Sequence, residues 1–267
     1  QAEYLNRQCR FADSVEAAQR AIDTSAVAGR DMGIYALTIR SLSLFHLGHI
    51  HEGIAGLEQA IALERTAGRV GEALDITSYL ARGYLEAGQV DRGLSTAVKG
   101  LEEGRALGLP VHAALCEAEA MEALLWRGRL DEVERRFEEL RELAMPQHEW
   151  IWRAVRVELL LARGDAQAAR PLVHEVATQI TGASKKPWHT DVLAQLQLAV
   201  MLDDRDGVFQ TAESYLAQLD DCDSPLISAA AARIGFQALC LGGSVPGART
   251  DELGTLASRL LRLAARG

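Results

Sequence analysis

The stretch Leu80-Ala81-Arg82-Gly83-Tyr84-Leu85-Glu86-Ala87-Gly88-Gln89-Val90-Asp91 decides the fold. An apolar run with helical spacing ends at Gly88, and a second amphipathic run opens at Val90. A glycine just past the last periodic residue is a helix stop, because it takes the left-handed conformation that closes the final turn. The same phrase stands at Leu47-Gly48-His49-Ile50 and at Arg127-Gly128-Arg129-Leu130, and Gly164 ends a fourth run. The steps between these glycines are 40, 40 and 36 residues. A period in that range marks a stack of helix pairs, in which no pair hides its apolar face without its neighbours.

Working outward from each glycine gives the units. Ile50, Ile54, Leu57 and Ile61 share one helical face, and Thr66-Ala67-Gly68 closes it. Gly33 reads as a turn ahead of the run Leu37–Leu44. The next pair is predicted over Ala73–Ala87 and Asp91–Arg105, with Gly108-Leu109-Pro110 as the break. A third covers Val111–Trp126 and Asp131–Leu143, broken at Met145-Pro146. A fourth covers Glu149–Ala162 and Ala166–Ile180, followed by the polar connector 181–187. A fifth starts near Trp188, turns at Asp204-Arg205-Asp206 and reaches Leu219. A sixth covers Leu226–Leu241 and Asp251–Ala265. At the front, Phe11, Val15, Ala18 and Ile22 read as the second helix of a pair whose first helix is missing or barely present. No segment alternates with period two, so no sheet is expected. The expectation is an all-α single domain over 1–267, with units at about 1–29 (partial), 30–69, 70–109, 110–146, 147–186, 187–224 and 225–267.

Fixed offsets from the turn glycine give the repeat its character. Leu44, Tyr84, Leu124 and Leu160 stand four residues before it, and Ser41, Ala81, Met121 and Val157 seven before. Ile50, Val90, Leu130 and Ala166 stand two after, and Gly53, Gly93, Val133 and Ala169 five after. Small residues at the last set suit a close helix crossing. Residues 80–91 resemble a tetratricopeptide repeat, whose period is about 34 residues. Here the repeats are longer, a closing proline is seen only as Pro110 and Pro146, and the family's tryptophan near the start of the first helix is absent. Long, degenerate repeats rich in Ala, Leu, Arg and Gly resemble the helical-repeat region of large ATP-dependent LuxR-type, maltose-activator-like transcription regulators. The resemblance covers nearly the whole chain. It implies a right-handed α-α superhelix of about six helix pairs that senses an inducer or partner. The nucleotide-switch ATPase and helix-turn-helix of that family would lie outside the chain, since no GxxxxGK[ST] phosphate loop occurs within it.

Composition narrows the partners. The chain has 267 residues, 48% of them hydrophobic, and a formal charge of −9. An acidic chain repels phosphate backbones, so direct nucleic-acid binding is not expected; Lys185-Lys186 is the one basic pair in a loop-like setting. No apolar run reaches the roughly 18 residues needed to cross a bilayer. Cys9, Cys116, Cys222 and Cys240 form no CxxC pair and read as reduced, packed thiols of a cytoplasmic protein. No leader is visible, and a chain that starts at Gln1 reads as a trimmed fragment.

Four clusters carry residue types that could do chemistry. His46, His49 and His51 surround the first turn, but only Glu52 is near to complete a metal shell, so they read as solvated turn histidines. Glu117, Glu119 and Glu122 share a helix, yet a catalytic carboxylate pair needs burial and a partner that shifts one pKa. The run Asp131-Glu132-Val133-Glu134-Arg135-Arg136 reads as a solvated face. Trp126, Trp150, Trp152 and Trp188 read as core packing between the first helices of the pairs, with an aromatic binding platform as the alternative.

In tetratricopeptide arrays the first helix of each pair lines the concave face, at fixed offsets before the turn. By that resemblance the lining is Tyr35, Thr38 and His46; Asp75, Ser78, Arg82 and Glu86; Glu122 and Trp126; Glu158; Gln195 and Asp203; and Arg233 and Gln237. This polar, mixed-charge set suits an extended peptide or protein segment, or a small polar inducer. The expected function is binding, as sensor or scaffold of a bacterial transcription regulator, with a general interaction scaffold as the alternative. No catalytic residues, metal or cofactor are expected, and a homo-oligomer is compatible with the pattern.

Overall fold

Glycines in the left-handed region separate successive helices along the chain. In the computed structural model, φ is +84° at Gly48, +75° at Gly68, +73° at Gly88, +66° at Gly108, +68° at Gly128 and +82° at Gly164. From 48 to 128 these glycines recur every 20 residues. Each closes the preceding helix in the same way. At Gly88 the glycine N–H donates to Leu85 O at 2.8 Å and the next N–H, of Gln89, donates to Tyr84 O at 2.8 Å. The same pair of bonds recurs at all six glycines, so the orphan carbonyls of each last turn are satisfied by the chain itself. Two residues past the glycine the next helix begins.

The structure describes residues 1–28, 32–141 and 149–181, with positions 195, 198–199, 201–202, 204, 207, 210–212, 214 and 222–225. Ten helices follow one another: α1 Ala2–Arg7, α2 Phe11–Ala28, α3 Met32–His46, α4 Ile50–Thr66, α5 Val70–Glu86, α6 Val90–Ala106, α7 Pro110–Trp126, α8 Leu130–Arg141, α9 Glu149–Ala162 and α10 Ala166–Thr181. The described residues contain no strand. The leading first helix is present as the six-residue α1. Gly33 lies inside α3 rather than in a turn before it. A Cβ there would come within 3.2 Å of Ser25 Oγ, so this glycine serves close packing of α3 on α2. Pro110 opens α7 at its first position, where the missing N–H has no intrahelical partner to lose.

The chain divides into two compact units, one of residues 1–6 and 11–155, the other of residues 7–10 and 156–267. In the first, each helix from α2 to α8 packs on the next, and α3–α5 and α5–α7 also touch. Successive helices therefore stand in a row, with α3, α5 and α7 side by side. The offsets read from the sequence point inward: Leu44, Tyr84 and Leu124, and Ser41, Ala81 and Met121, are all buried. One cluster joins Phe45, Ile54, Leu57, Ala60, Ile76, Leu80 and Tyr84, tying α3, α4 and α5 together. Each large member contributes about 1.5–3 kcal/mol on burial. The small residues five past the turn sit at the crossings: a Cβ on Gly53 would lie 2.9 Å from both Phe45 Cδ2 and Ser41 O.

In the second unit Val157, Leu159, Leu160, Leu161, Ala169 and Val173 are buried. Asp165 caps α10 by accepting the Ala168 N–H at 3.1 Å. Units expected at 187–224 and 225–267 lie largely or wholly outside the described residues.

Candidate functional site

The faces of α5 and α7 meet through charge. Asp75, Tyr79, Arg82 and Glu86 fall at i, i+4, i+7 and i+11 on α5, and His112, Glu119, Glu122 and Trp126 form the facing stripe on α7. Arg82 Nη1 donates to Glu122 Oε1. Arg82 Nε stands 2.9 Å from Glu119 Oε2, close enough for strong attraction but not aligned for a hydrogen bond. About two turns toward the other end, His112 Nδ1 lies 2.6 Å from Asp75 Oδ1. Gly71 leaves room for that imidazole, since a Cβ there would come 2.8 Å from His112 Nε2.

Glu122 is buried, and Glu119 keeps little exposure. Burial, with the neighbouring Glu122 charge, pushes the Glu119 carboxyl up to about 7, against the pull of Arg82. The same carboxylates hold Arg82 well above the usual arginine range despite its burial. The burial and pKa-shifting partner that the sequence did not disclose for the carboxylate trio are therefore present. The third member of the trio, Glu117, is fully buried, and Arg136 of α8 donates to both its oxygens at 3.0 and 3.1 Å. This corrects the reading of 131–136 as a solvated face: Arg136 turns inward. An arginine i+5 from Asp131 gives no periodic signal that would separate it from Arg135, so the pairing was not legible.

The remaining sequence-derived positions divide by accessibility. Tyr35 is 54% and Trp126 50% exposed, so Trp126 is not core packing between helices. Glu86 is exposed as well. Thr38 and Ser78 are buried, and their hydroxyls donate to Ile34 O at 3.1 Å and Asp75 O at 2.7 Å. They satisfy their own helices and offer no free polar group. His46 stacks on Phe11 with ring centroids 4.3 Å apart, so it belongs to the α2–α3 contact rather than to the solvent. His49, at the turn, stands 3.6 Å from Glu52. Glu158 and Gln195 are half-buried in the second unit. Asp203, Arg233 and Gln237 lie outside the described residues, as do Trp188 and the side chains of Trp150 and Trp152. The offset rule did not select Tyr79, which is 42% exposed on α5; the signal was its i+4 spacing from Asp75.

In the first unit α3, α5 and α7 thus each carry an exposed aromatic, and a part-buried ion cluster joins α5 to α7. Among the described residues no group of three or more His, Cys, Asp or Glu is placed to hold a metal ion, and no helix is long and apolar enough to cross a membrane. Cys116, buried against Leu74 O at 3.7 Å, has its thiol pushed up to about 12 by burial, which makes it inert as a nucleophile.

No family model matches the chain, and no curated protein matches it. Among solved structures, a tetratricopeptide repeat protein from Parabacteroides merdae is similar over 97% of this chain and 98% of its own, at 12% identity and a TM-score of 0.48.

Proposed function

We propose that the chain is a non-enzymatic binding module whose α3–α5–α7 face takes an extended segment of a partner protein. One observation carries this reading: Tyr35, Tyr79 and Trp126 stand exposed on three successive first helices. Tyrosine and tryptophan combine a large apolar body with a polar tip and dominate binding energetics where they are exposed. The part-buried Arg82–Glu119–Glu122 cluster holds α5 and α7 in register, so the positions of Tyr79 and Trp126 are fixed before a partner arrives.

The finer reading is the sensor region of a bacterial transcription regulator. It is supported by the texture of the repeats and their length beyond 34 residues. A partner or small polar inducer on the same face would shift the population between two arrangements of the helix row and so report to neighbouring domains. Thermal-shift and fluorescence titration against peptides, sugars and metabolites tests the binding reading. Binding lost at least tenfold in Trp126→Ala and Tyr79→Ala, with unchanged melting temperature, supports it; binding indifferent to both variants sinks it. A phosphate-loop ATPase before the chain and a helix-turn-helix after it would favour the regulator over a general scaffold.

A further inference from the structure

The α1–α2 turn breaks the glycine rule. Cys9 stands two residues before Phe11, the first residue of α2, just as Gly48, Gly88, Gly128 and Gly164 stand two residues before Ile50, Val90, Leu130 and Ala166. Its φ is +58°, the region those glycines occupy, and among the described residues it is the one non-glycine found there. A Cβ is disfavoured in that conformation. The turns from α3 to α8 and the α9–α10 turn all use glycine at this place, so the cysteine here is held against a local cost. Such an outlier points from strain toward function.

What faces Cys9 gives the reason. The Asp223 N–H donates to Cys9 O at 3.3 Å, which brings residues 214 positions apart in sequence together. The Cys222 thiol is hydrogen-bonded to the Cys9 side chain. Both cysteines are buried, neither is in a disulfide, and both belong to the second compact unit. Cys116 is buried too, but its sulfur meets a carbonyl rather than another sulfur.

We propose that Cys9 and Cys222 are a site of reversible disulfide formation that staples the α1–α2 turn to the 222–225 segment. The oxidant is a low-molecular-weight disulfide such as oxidised glutathione. Hydrogen bonding to Cys9, and then burial, hold the Cys222 proton in place, so Cys9 is the sulfur that attacks. The Cys9 thiol loses its proton to solvent, its sulfur bonds to one glutathione sulfur, and the other glutathione leaves as a thiolate. Cys222 then loses its proton and attacks the Cys9 sulfur of the mixed disulfide, expelling the second glutathione. Two protein thiols are oxidised, and one glutathione disulfide is reduced to two thiols. Burial keeps the exchange slow, on a scale of minutes to hours.

The test incubates the full chain with oxidised glutathione under native conditions, then maps cysteines by alkylation, digestion and mass spectrometry. The expected product is a single intramolecular peptide pair joined through Cys9 and Cys222. The melting temperature rises by roughly 5 °C or more, because a long loop is closed in the unfolded chain, and dithiothreitol reverses the shift. Cys116→Ser behaves as the parent. Cys222→Ser loses both cross-link and shift and keeps a glutathione on Cys9. Cys9→Gly restores the residue of the other turns, folds at least as well as the reduced parent, and loses the shift. The proposal is overturned if Cys9 and Cys222 remain free or separately glutathionylated, or if the bond forms through Cys116, Cys240 or a second chain.

Discussion

Arg136 on α8 donates to both oxygens of Glu117 on α7, and the Glu117 side chain has no exposed surface. Truncating one partner of a buried pair strands the other charge, whereas replacing both with apolar groups removes the desolvation penalty as well. Arg136→Ala should therefore cost about 3–5 kcal/mol. The double variant Arg136→Met/Glu117→Leu should recover most of that loss. Urea denaturation of the three proteins checks it, and a double variant no better than Arg136→Ala contradicts it.

The Glu119 carboxyl sits near 7 in the fold, against 4.5 in the ordinary case. A raised carboxyl pKa means the folded state binds the proton more tightly than the unfolded chain. Its stabilising contribution is complete below about pH 4.5 and is lost as pH rises through about 7. The full swing is on the order of 3 kcal/mol. Glu119→Gln mimics the protonated acid and removes this slope. The stability difference between parent and variant, followed from pH 5 to 8, should shift steadily in favour of the variant. A difference that stays flat across that range refutes the assignment.

Two glycines are predicted to resist substitution for different reasons. A Cβ on Gly93 would lie 2.7 Å from Leu85 Cδ2 and 3.1 Å from Ala81 O, so Gly93→Ala should cost about 1–3 kcal/mol through overpacking. Gly88 has open space around it but a φ of +73°, so Gly88→Ala should cost about 1–2 kcal/mol through backbone strain. Asparagine tolerates that conformation. Gly88→Asn should be milder than Gly88→Ala, whereas Gly93→Asn should be at least as damaging as Gly93→Ala. Thermal melts of the four variants separate the two mechanisms.

Trp126 is half exposed at the end of α7. Trp126→Phe should leave the melting temperature within about 1–2 °C, as surface changes do. It should also remove a component of the tryptophan emission that iodide quenches readily. Loss of a well-shielded component instead would place Trp126 in a covered environment.

The array was legible because its grammar is local. Gly48, Gly88, Gly128 and Gly164 announce themselves within four residues of sequence, and the observed α5, α6 and α9 fall within three residues of the predicted boundaries. The second beat, at Gly68 and Gly108, was visible as isolated stops, but its 20-residue regularity emerged only with the dihedral angles. Cys9 was missed as a turn residue because nothing in its side chain suggests φ above zero. Gly33 was misread because a lone glycine signals either a turn or a close approach. The ion cluster was half legible. Offset reasoning selected Arg82 and Glu122 separately, but their meeting depends on how α5 and α7 abut. The same holds for Asp75 and His112, and for Arg136 and Glu117, whose separations in sequence span a whole helix or more.

The first unit is a row in which helices grip mainly their neighbours in chain order and the next-but-one partner along α3, α5 and α7. Among the described residues, force applied at its two ends meets these neighbour contacts in turn rather than one strap that joins distant helices. An optical trap should therefore record a sequence of small rips, each releasing one or two helices at low load, rather than a single tall rupture. Such a row behaves as a soft spring, able to give way at one end while the rest stays wound.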